Sequence, residues 1–224
     1  IVVGAYERIL YGLSFCEKGK ENELQIKNSK QSTLTTSLPY SISPFFIFPA
    51  HIGCIKSVNV GVSRYLASGS TDEFIKLYDM KSRKELGSLQ EHKGSITCLE
   101  FVGKNHLVSG SEDGTIMIWR TKDWEVLKTL KGHTGKIHSL SVHPTGKLAL
   151  SVGSDKLMFL WNMMTGHKAS SIRLPKVADA IQWNKKGDLY AVMYESFIEI
   201  YSTASSKPIN RIESSSIRCK FMSL

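Results

Sequence analysis

The apolar positions of this chain fall into short runs that return in sets of four. In the best-defined stretch the runs are Ile96 to Phe101, His106 to Ser109, Thr115 to Trp119 and Trp124 to Leu130. Turn residues separate them: Gly103-Lys104, Asp113-Gly114 and Thr121 to Asp123, with Gly132 after the last. Runs of this length bounded by such residues are strand signals. The same order appears about 41 residues earlier and about 41 later, where His143-Pro144-Thr145-Gly146 forms the first hairpin turn. A fixed period with four short strands in each copy predicts an all-β chain. Each copy becomes a four-stranded antiparallel sheet, stacked radially as one blade of a propeller.

Three copies are clear, at residues 50–90, 91–131 and 132–172. A fourth, at 173–212, keeps the strand pattern, and a further copy begins within 213–224, near Ile217. Ahead of them, Ile9, Tyr11, Leu13 and Phe15 alternate with other residues over 1–16, which predicts one half-buried strand. The segment 17–49 is rich in Lys, Asn, Ser, Thr and Gln up to Tyr40 and is punctuated by Pro39, Pro44 and Pro49. It reads as an irregular insertion or loop followed by an entry strand to the first copy. The expected architecture is thus about four blades plus an N-terminal strand.

Inside the period sits a repeated polar set. Its members are His51, Ser68, Asp72 and Tyr78; His92, Ser109, Asp113 and Trp119; and His133, Ser151, Asp155 and Trp161. Ser to Asp is four residues and Asp to aromatic six in every copy. A single such set would suggest a Ser-His-Asp hydrolase. Catalysis needs one cleft, however, and three sets at one spacing argue for a structural task. A His to Asp hydrogen bond, passed through Ser to the aromatic N–H or O–H, would satisfy buried polar groups and hold strands in register. In the fourth copy Leu174 takes the His place, Ala191 the Ser place and Glu195 the Asp place, with Tyr201 as the aromatic residue.

Composition narrows the function classes. The chain of 224 residues carries 29 Lys plus Arg against 20 Asp plus Glu, a net charge of +9, which favours acidic partners. The excess concentrates between Lys128 and Lys176, where eight Lys or Arg face one acid, Asp155. The four cysteines are far apart and lack metal spacing, so they read as reduced thiols of an intracellular protein. No phosphate-binding loop, zinc-protease motif or metal-spaced acidic cluster occurs, so neither a cofactor nor a metal is expected. The longest apolar run, Phe45 to Phe48, is too short to span a membrane as a helix. The opening lacks a secretory leader pattern. The start at Ile1 and the end at Leu224, within a strand-like run, read as a piece of a longer protein. His106, His138, His143 and His167 stand singly and fit surface or packing roles.

Recognition by a surface is what remains. The loops flanking the innermost strands of a propeller form its top face. By position in the repeat that face carries Cys54, Lys56 and Thr71; Ser95, Thr97 and Glu112; and Lys136, His138 and Ser154. Lys56, Lys136 and His138 suit an acidic protein or RNA phosphates.

The segments Ser68 to Asp79, Ser109 to Arg120 and Ser151 to Asn162 resemble the WD-repeat signature, as does Gly132-His133, with Glu91-His92 and Ala50-His51 as variants. Gly4 to Glu7 with Leu10 to Gly12, Asp72 to Met80, His92 to Leu99, and His143 to Gly153 are similar to the p21-activated-kinase-interacting family of WD-repeat proteins. The resemblance implies a non-enzymatic nucleolar scaffold, needed for maturation of the large ribosomal subunit alongside ribosome assembly factors and precursor RNA. It implies as an alternative an adaptor that restrains a p21-activated kinase. It carries no small-molecule substrate. The family has about seven blades.

Overall fold

The structure is a computed structural model and describes residues 1–17, 40–62, 64–205 and 207–213. The inserted residues 18–39 and the onset of the further copy near Ile217 lie outside the described residues.

Four four-stranded antiparallel sheets follow one another along the chain, each with its strands in sequence order. The first holds β4 (Ile55–Val60), β5 (Tyr65–Ser70), β6 (Ile75–Asp79) and β7 (Lys84–Leu89). The second holds β8 (Ile96–Val102), β9 (His106–Ser111), β10 (Thr115–Arg120) and β11 (Val126–Lys131). The third holds β12 (Ile137–Val142), β13 (Leu148–Gly153), β14 (Leu157–Asn162) and β15 (His167–Arg173). The fourth holds β16 (Ala180–Trp183), β17 (Leu189–Met193), β18 (Phe197–Ser202) and β19 (Pro208–Glu213). The second and third strands of the second and third blades are largely buried on both faces, which is why they read as near-continuous apolar runs rather than alternating ones. Positive φ at Glu73, Gly114 and Lys156 closes the equivalent hairpin turn in three successive blades.

The core lies between the blades. One apolar layer joins Ala67, Ile75 and Leu77 of the first blade to Ile96, Leu107 and Trp119 of the second. The next joins Ile116 and Ile118 to Ile137, Ala149 and Trp161, and a further one joins Leu150 and Met158 to Ile181, Trp183 and Val192. A polar stitch repeats between neighbouring innermost strands. The backbone N–H of Phe101 donates to Asn59 Oδ1 (3.2 Å), that of Val142 to Glu100 Oε2 (2.8 Å) and that of Trp183 to Ser141 Oγ (3.1 Å). Strands of different blades share no ladder, so these side chains satisfy N–H groups that would otherwise be buried without a partner.

The N-terminal region departs from the expected single strand. It forms a three-stranded sheet of β1 (Val2–Gly4), β2 (Ile9–Glu17) and β3 (Tyr40–Pro49). Residues 40–49 form a strand where the entry strand was expected; Pro44 is accommodated because it lies on the sheet edge, opposite Leu13, where the register shifts. An edge strand at a bulge tolerates a residue without an N–H. Phe46 and Phe48 from this strand pack with Leu10, Leu66 and Tyr78. The facing of β2 also differs from the alternation at Ile9, Tyr11 and Leu13. Leu10 is fully buried, and the ring of Phe46 lies over Gly12, whereas Tyr11 and Leu13 sit half-buried on the opposite face.

Candidate functional site

The repeated polar set and the top-face residues occupy neighbouring levels of each blade. In the second blade His92 Nδ1 lies 3.1 Å from Asp113 Oδ2, and His92 Nε2 lies 2.7 Å from Ser109 Oγ. Trp119 Nε1 donates to the same Ser109 oxygen at 2.8 Å. The third blade repeats this: His133 lies 2.9 Å from Asp155 and 2.8 Å from Ser151, and Trp161 donates to Ser151 at 2.8 Å. Only one assignment of protons satisfies all of these contacts. The indole N–H donates to Ser Oγ, the Ser O–H donates to His Nε2, and His Nδ1–H donates to the carboxylate. Burial lowers the pKa of His51, His92 and His133, and attraction to the Asp partner opposes this without reversing it, so each imidazole is neutral. Burial raises each Asp, but the donors around it win and hold the carboxyl below its ordinary range. For Asp113 those donors include the backbone N–H groups of Lys93 and Thr115.

The arrangement leaves nothing over for nucleophilic chemistry. Ser68, Ser109 and Ser151 are all fully buried. The oxygens of Ser109 and Ser151 also accept the N–H of a buried Trp, and this packing together with their full burial keeps a substrate carbonyl from the hydroxyl.

The first blade differs. His51 lies 3.0 Å from Asp72 and 2.7 Å from Ser68, but the hydroxyl of Tyr78 is buried without a hydrogen-bond partner. The expected relay through all three aromatic residues therefore ends at Ser68 here. An indole carries its N–H on the flank of the ring and a phenol its O–H at the tip, so one packing position cannot serve both. Burial pushes the Tyr78 phenol up to about 12. Tyr78→Phe is expected to leave stability unchanged or raise it by up to about 1 kcal/mol, since it removes an unpaired polar atom. A urea melt checks this, and a loss above about 1 kcal/mol would mean the hydroxyl has a partner. In the fourth blade the polar set is gone. Leu174 and Ala191 are buried in its place, Glu195 is exposed, and Tyr201 stacks on Tyr190 at 5.2 Å and donates to the buried Glu199 (2.8 Å).

At one end of the innermost strands lies a concavity of about 220 Å³ lined by Lys56, Thr97, Glu112, Lys136, Ile137, His138 and Asp179. Five of the nine residues placed on the top face by repeat position meet here. The other four flank it. Cys54 N–H donates to Thr71 Oγ1 (2.9 Å), Ser95 Oγ donates to Glu112 Oε2 (3.1 Å), and Ser154 N–H donates to the Lys136 carbonyl (2.9 Å). Lys136 Nζ stands 3.9 Å from Glu112 Oε1, and both are exposed. Burial lowers the pKa of His138, Lys136 lowers it further, and Asp179, Glu112 and Asp155 pull the other way.

Asp179 was missed by the sequence reading, which placed top-face residues only on the three clear copies. The period itself carries the signal: Lys56, Thr97, His138 and Asp179 are each 41 residues apart. The residue at this repeat position in each of the four blades therefore lines the concavity, running from cation through neutral groups to anion. Among the remaining histidines, His143 joins two blades. Its Nε2 lies 3.0 Å from the Gly187 carbonyl and its ring packs edge-on to Trp183.

Comparison with known proteins agrees with this geometry. The family model described as WD domain, G-beta repeat matches residues 42–79, 83–120 and 124–162. The chain belongs to the WD-repeat family. Each matched segment begins in, or within two residues before, the outer strand of one sheet and ends in the third strand of the next. The chain is 46% identical over 201 residues to p21-activated protein kinase-interacting protein 1 of Homo sapiens, which covers 90% of this chain and 48% of that protein. It is 40% identical over 212 residues to a p21-activated protein kinase-interacting protein 1-like protein of Danio rerio, covering 95% and 52%. It is also 40% identical to Protein MAK11 of Saccharomyces cerevisiae, covering 95% and 53%. The chain thus spans about half the length of these curated relatives.

Proposed function

We propose that this WD-repeat chain forms part of a scaffold for large-ribosomal-subunit precursors in the nucleolus, gripping an assembly factor through the concavity of Lys56, Thr97, His138 and Asp179. The observation that carries the binding role is that concavity. It gathers one side chain from each of four blades, and Lys56 and Lys136 stand exposed at its mouth. The ribosomal setting rests on the resemblance of the repeats and on the basic surface of the second and third blades. There Lys128 lies over Gly166 and donates to the Thr165 carbonyl (3.0 Å), Lys168 sits 4.7 Å above the Phe159 ring, and Arg173 is exposed. Exposed cations of this kind suit precursor RNA phosphates.

The second reading is an adaptor that binds and restrains a p21-activated protein kinase. What favours it is the name of the human and zebrafish relatives, which describes them as interacting with such a kinase.

Affinity purification from nuclear extract separates the two. Assembly factors together with precursor ribosomal RNA support the first, whereas a kinase recovered without them replaces it by the second. Lys56→Glu combined with Lys136→Glu is expected to lose the partner by at least tenfold while leaving the thermal melt within about 2 °C, because both side chains are exposed. Full retention of the partner by this double variant removes the concavity from the binding face.

A further inference from the structure

The clefts between neighbouring blades repeat with the blades, at the end of the strands opposite the concavity. Lys56 opens β4, whereas Arg64 and Tyr65 follow its far end, and there a cleft of about 410 Å³ lies between the first blade and the second. Arg64, Tyr65, Leu77 and Leu86 line it from the first blade, and Lys122 and Trp124 from the second. The corresponding cleft between the second and third blades takes Ile118 and Lys128 from one side and Met164 and Gly166 from the other. Two exchanges set these clefts apart. Lys128, paired with Ile118, lays its stem over Gly166 and donates to the Thr165 carbonyl at 3.0 Å, which covers part of the second cleft. The equivalent residue of the first blade, paired with Leu77, is Gly87, and a Cβ there would meet no atom within 4 Å. On the facing turns the exchange is reversed. Arg83, Trp124 and Gly166 stand five residues after Tyr78, Trp119 and Trp161, and all three have positive φ. A bulky ring rarely adopts that backbone, which suits glycine, yet the second blade holds Trp124 there at φ 61°. Strain that the surrounding structure maintains is a mark of functional positions. The first cleft is thus open where the next is covered, and walled by an indole where the next has no side chain.

The lining is apolar with cations beside it. Leu77 is buried, and Leu86 is 47% exposed where the ladder shifts register. Tyr65 and Trp124 are half-buried, with ring centroids 5.4 Å apart. Arg64 lies over the Tyr65 ring at 5.4 Å, and Lys122 is exposed. Among the described residues, none that lines the cleft is acidic. The acids next to the lining residues in sequence are held by other cations. Arg120 binds Asp123 (2.9 Å) and Glu125 (3.0 Å), and Lys76 stands 3.1 Å from Glu85. Arg64 stands 3.7 Å from Asp79, whose carboxylate also accepts the Lys81 N–H at 2.9 Å.

We propose that the cleft between the first and second blades docks a linear segment of a partner protein in which a large apolar side chain is flanked by carboxylates. The apolar side chain enters over Leu77 and Leu86 beside the two rings, and the carboxylates meet Lys122 and Arg64. A peptide suits this lining better than a nucleotide. The Tyr65 and Trp124 rings stand at 80° to each other with Arg64 over one of them, so they form no parallel slot for a base. The proposal does not depend on what the concavity at the other end of the strands binds.

Selection of a random-peptide display library on the protein tests it. The enriched sequences are expected to share a large apolar residue with acidic residues beside it. A synthetic peptide of that sequence should bind Lys122→Glu and Trp124→Gly at least tenfold more weakly than the wild type, and should weaken with added salt. Met164→Glu places the same carboxylate at the equivalent position of the next cleft, where Met164 is 76% exposed, and should bind as the wild type does. Glycine suits the backbone at Trp124, so Trp124→Gly keeps the turn; Lys122→Glu, at an exposed position, carries the test alone should the thermal melt of Trp124→Gly fall. A selection that enriches nothing, enriched sequences without acidic residues, or peptides that bind both variants as they bind the wild type overturn the proposal. A single-stranded oligoadenylate that binds more tightly than any selected peptide and is lost with the same two variants overturns the occupant in favour of RNA.

Discussion

His92→Ala is expected to destabilise the protein by about 3 kcal/mol, with the urea midpoint falling at an unchanged slope. The cost has two parts. The imidazole bridges Asp113 and Ser109, and its loss leaves a part-buried carboxylate short of one donor and the Ser109 hydroxyl, fully buried, without its acceptor. Unmet buried polar groups of this kind cost about 1–3 kcal/mol. The empty ring volume between the loop and β9 adds about 1 kcal/mol or more, depending on how far the site collapses. The relay also predicts coupling. Ser109→Ala should cost about 1 kcal/mol less in the His92→Ala background than alone, because the bond between them is already gone. His167→Ala, at an exposed position on β15, supplies the contrast and should stay within about 0.5 kcal/mol. Equal melts for His92→Ala and the wild type would refute the structural assignment of all three sets, since their geometry is shared.

What could be read from residues alone follows from how local each signal is. The blades were legible because strand runs, the positive-φ turn at Gly114 and the four-residue step from Ser109 to Asp113 each lie within a few residues of chain. Three copies then average out local noise. The entry strand was legible but its bounds, Tyr40–Pro49, were not, because the missing N–H of Pro44 is harmless only where β3 is an edge, a fact of topology and not of composition. Tyr78 looked equivalent to Trp119 because both are aromatic, yet the position of the polar atom on the ring decides whether Ser68 is reached. Asp179, Asn59, Glu100 and Ser141 are ordinary polar residues one at a time. They gain meaning only when the 41-residue period is applied to single positions, which places Asp179 in line with His138 and Glu100 in line with Asn59. The concavity can be assembled from the sequence in that way, but its mixed charge does not name its occupant.

Glu100→Gln is expected to stabilise the protein by about 2 kcal/mol at pH 8 and by close to nothing at pH 4.5. Glu100 sits on the innermost strand β8, between two blades, where its Oε2 accepts the Val142 N–H at 2.8 Å. Burial pushes its pKa up to about 7, and the single backbone donor opposes this only in part. The folded state therefore holds a proton on Glu100 more tightly than the unfolded chain does. Its contribution to stability is complete below the ordinary carboxylate range and is lost as the pH rises through 7. Each unit of pKa corresponds to about 1.4 kcal/mol, which sets the scale of the gain. A glutamine keeps the acceptor oxygen for Val142 and the shape of the protonated acid, so at low pH the two proteins should match. The buried histidines act with the opposite sign. Their pKa values are lowered, so the stability they lend is present above about 6.5 and fades as the pH falls. In the wild type these slopes oppose each other between about pH 4.5 and 7, and the profile there should be shallow. Removing the Glu100 charge leaves the histidine slope alone, so the variant should lose stability on acidification more steeply than the wild type. Urea melts of both proteins at half-unit steps from pH 4.5 to 8 measure the two effects together. Parallel profiles would show that Glu100 ionises in the fold as it does in the unfolded chain, and that the stitch between the second and third blades carries a solvated charge.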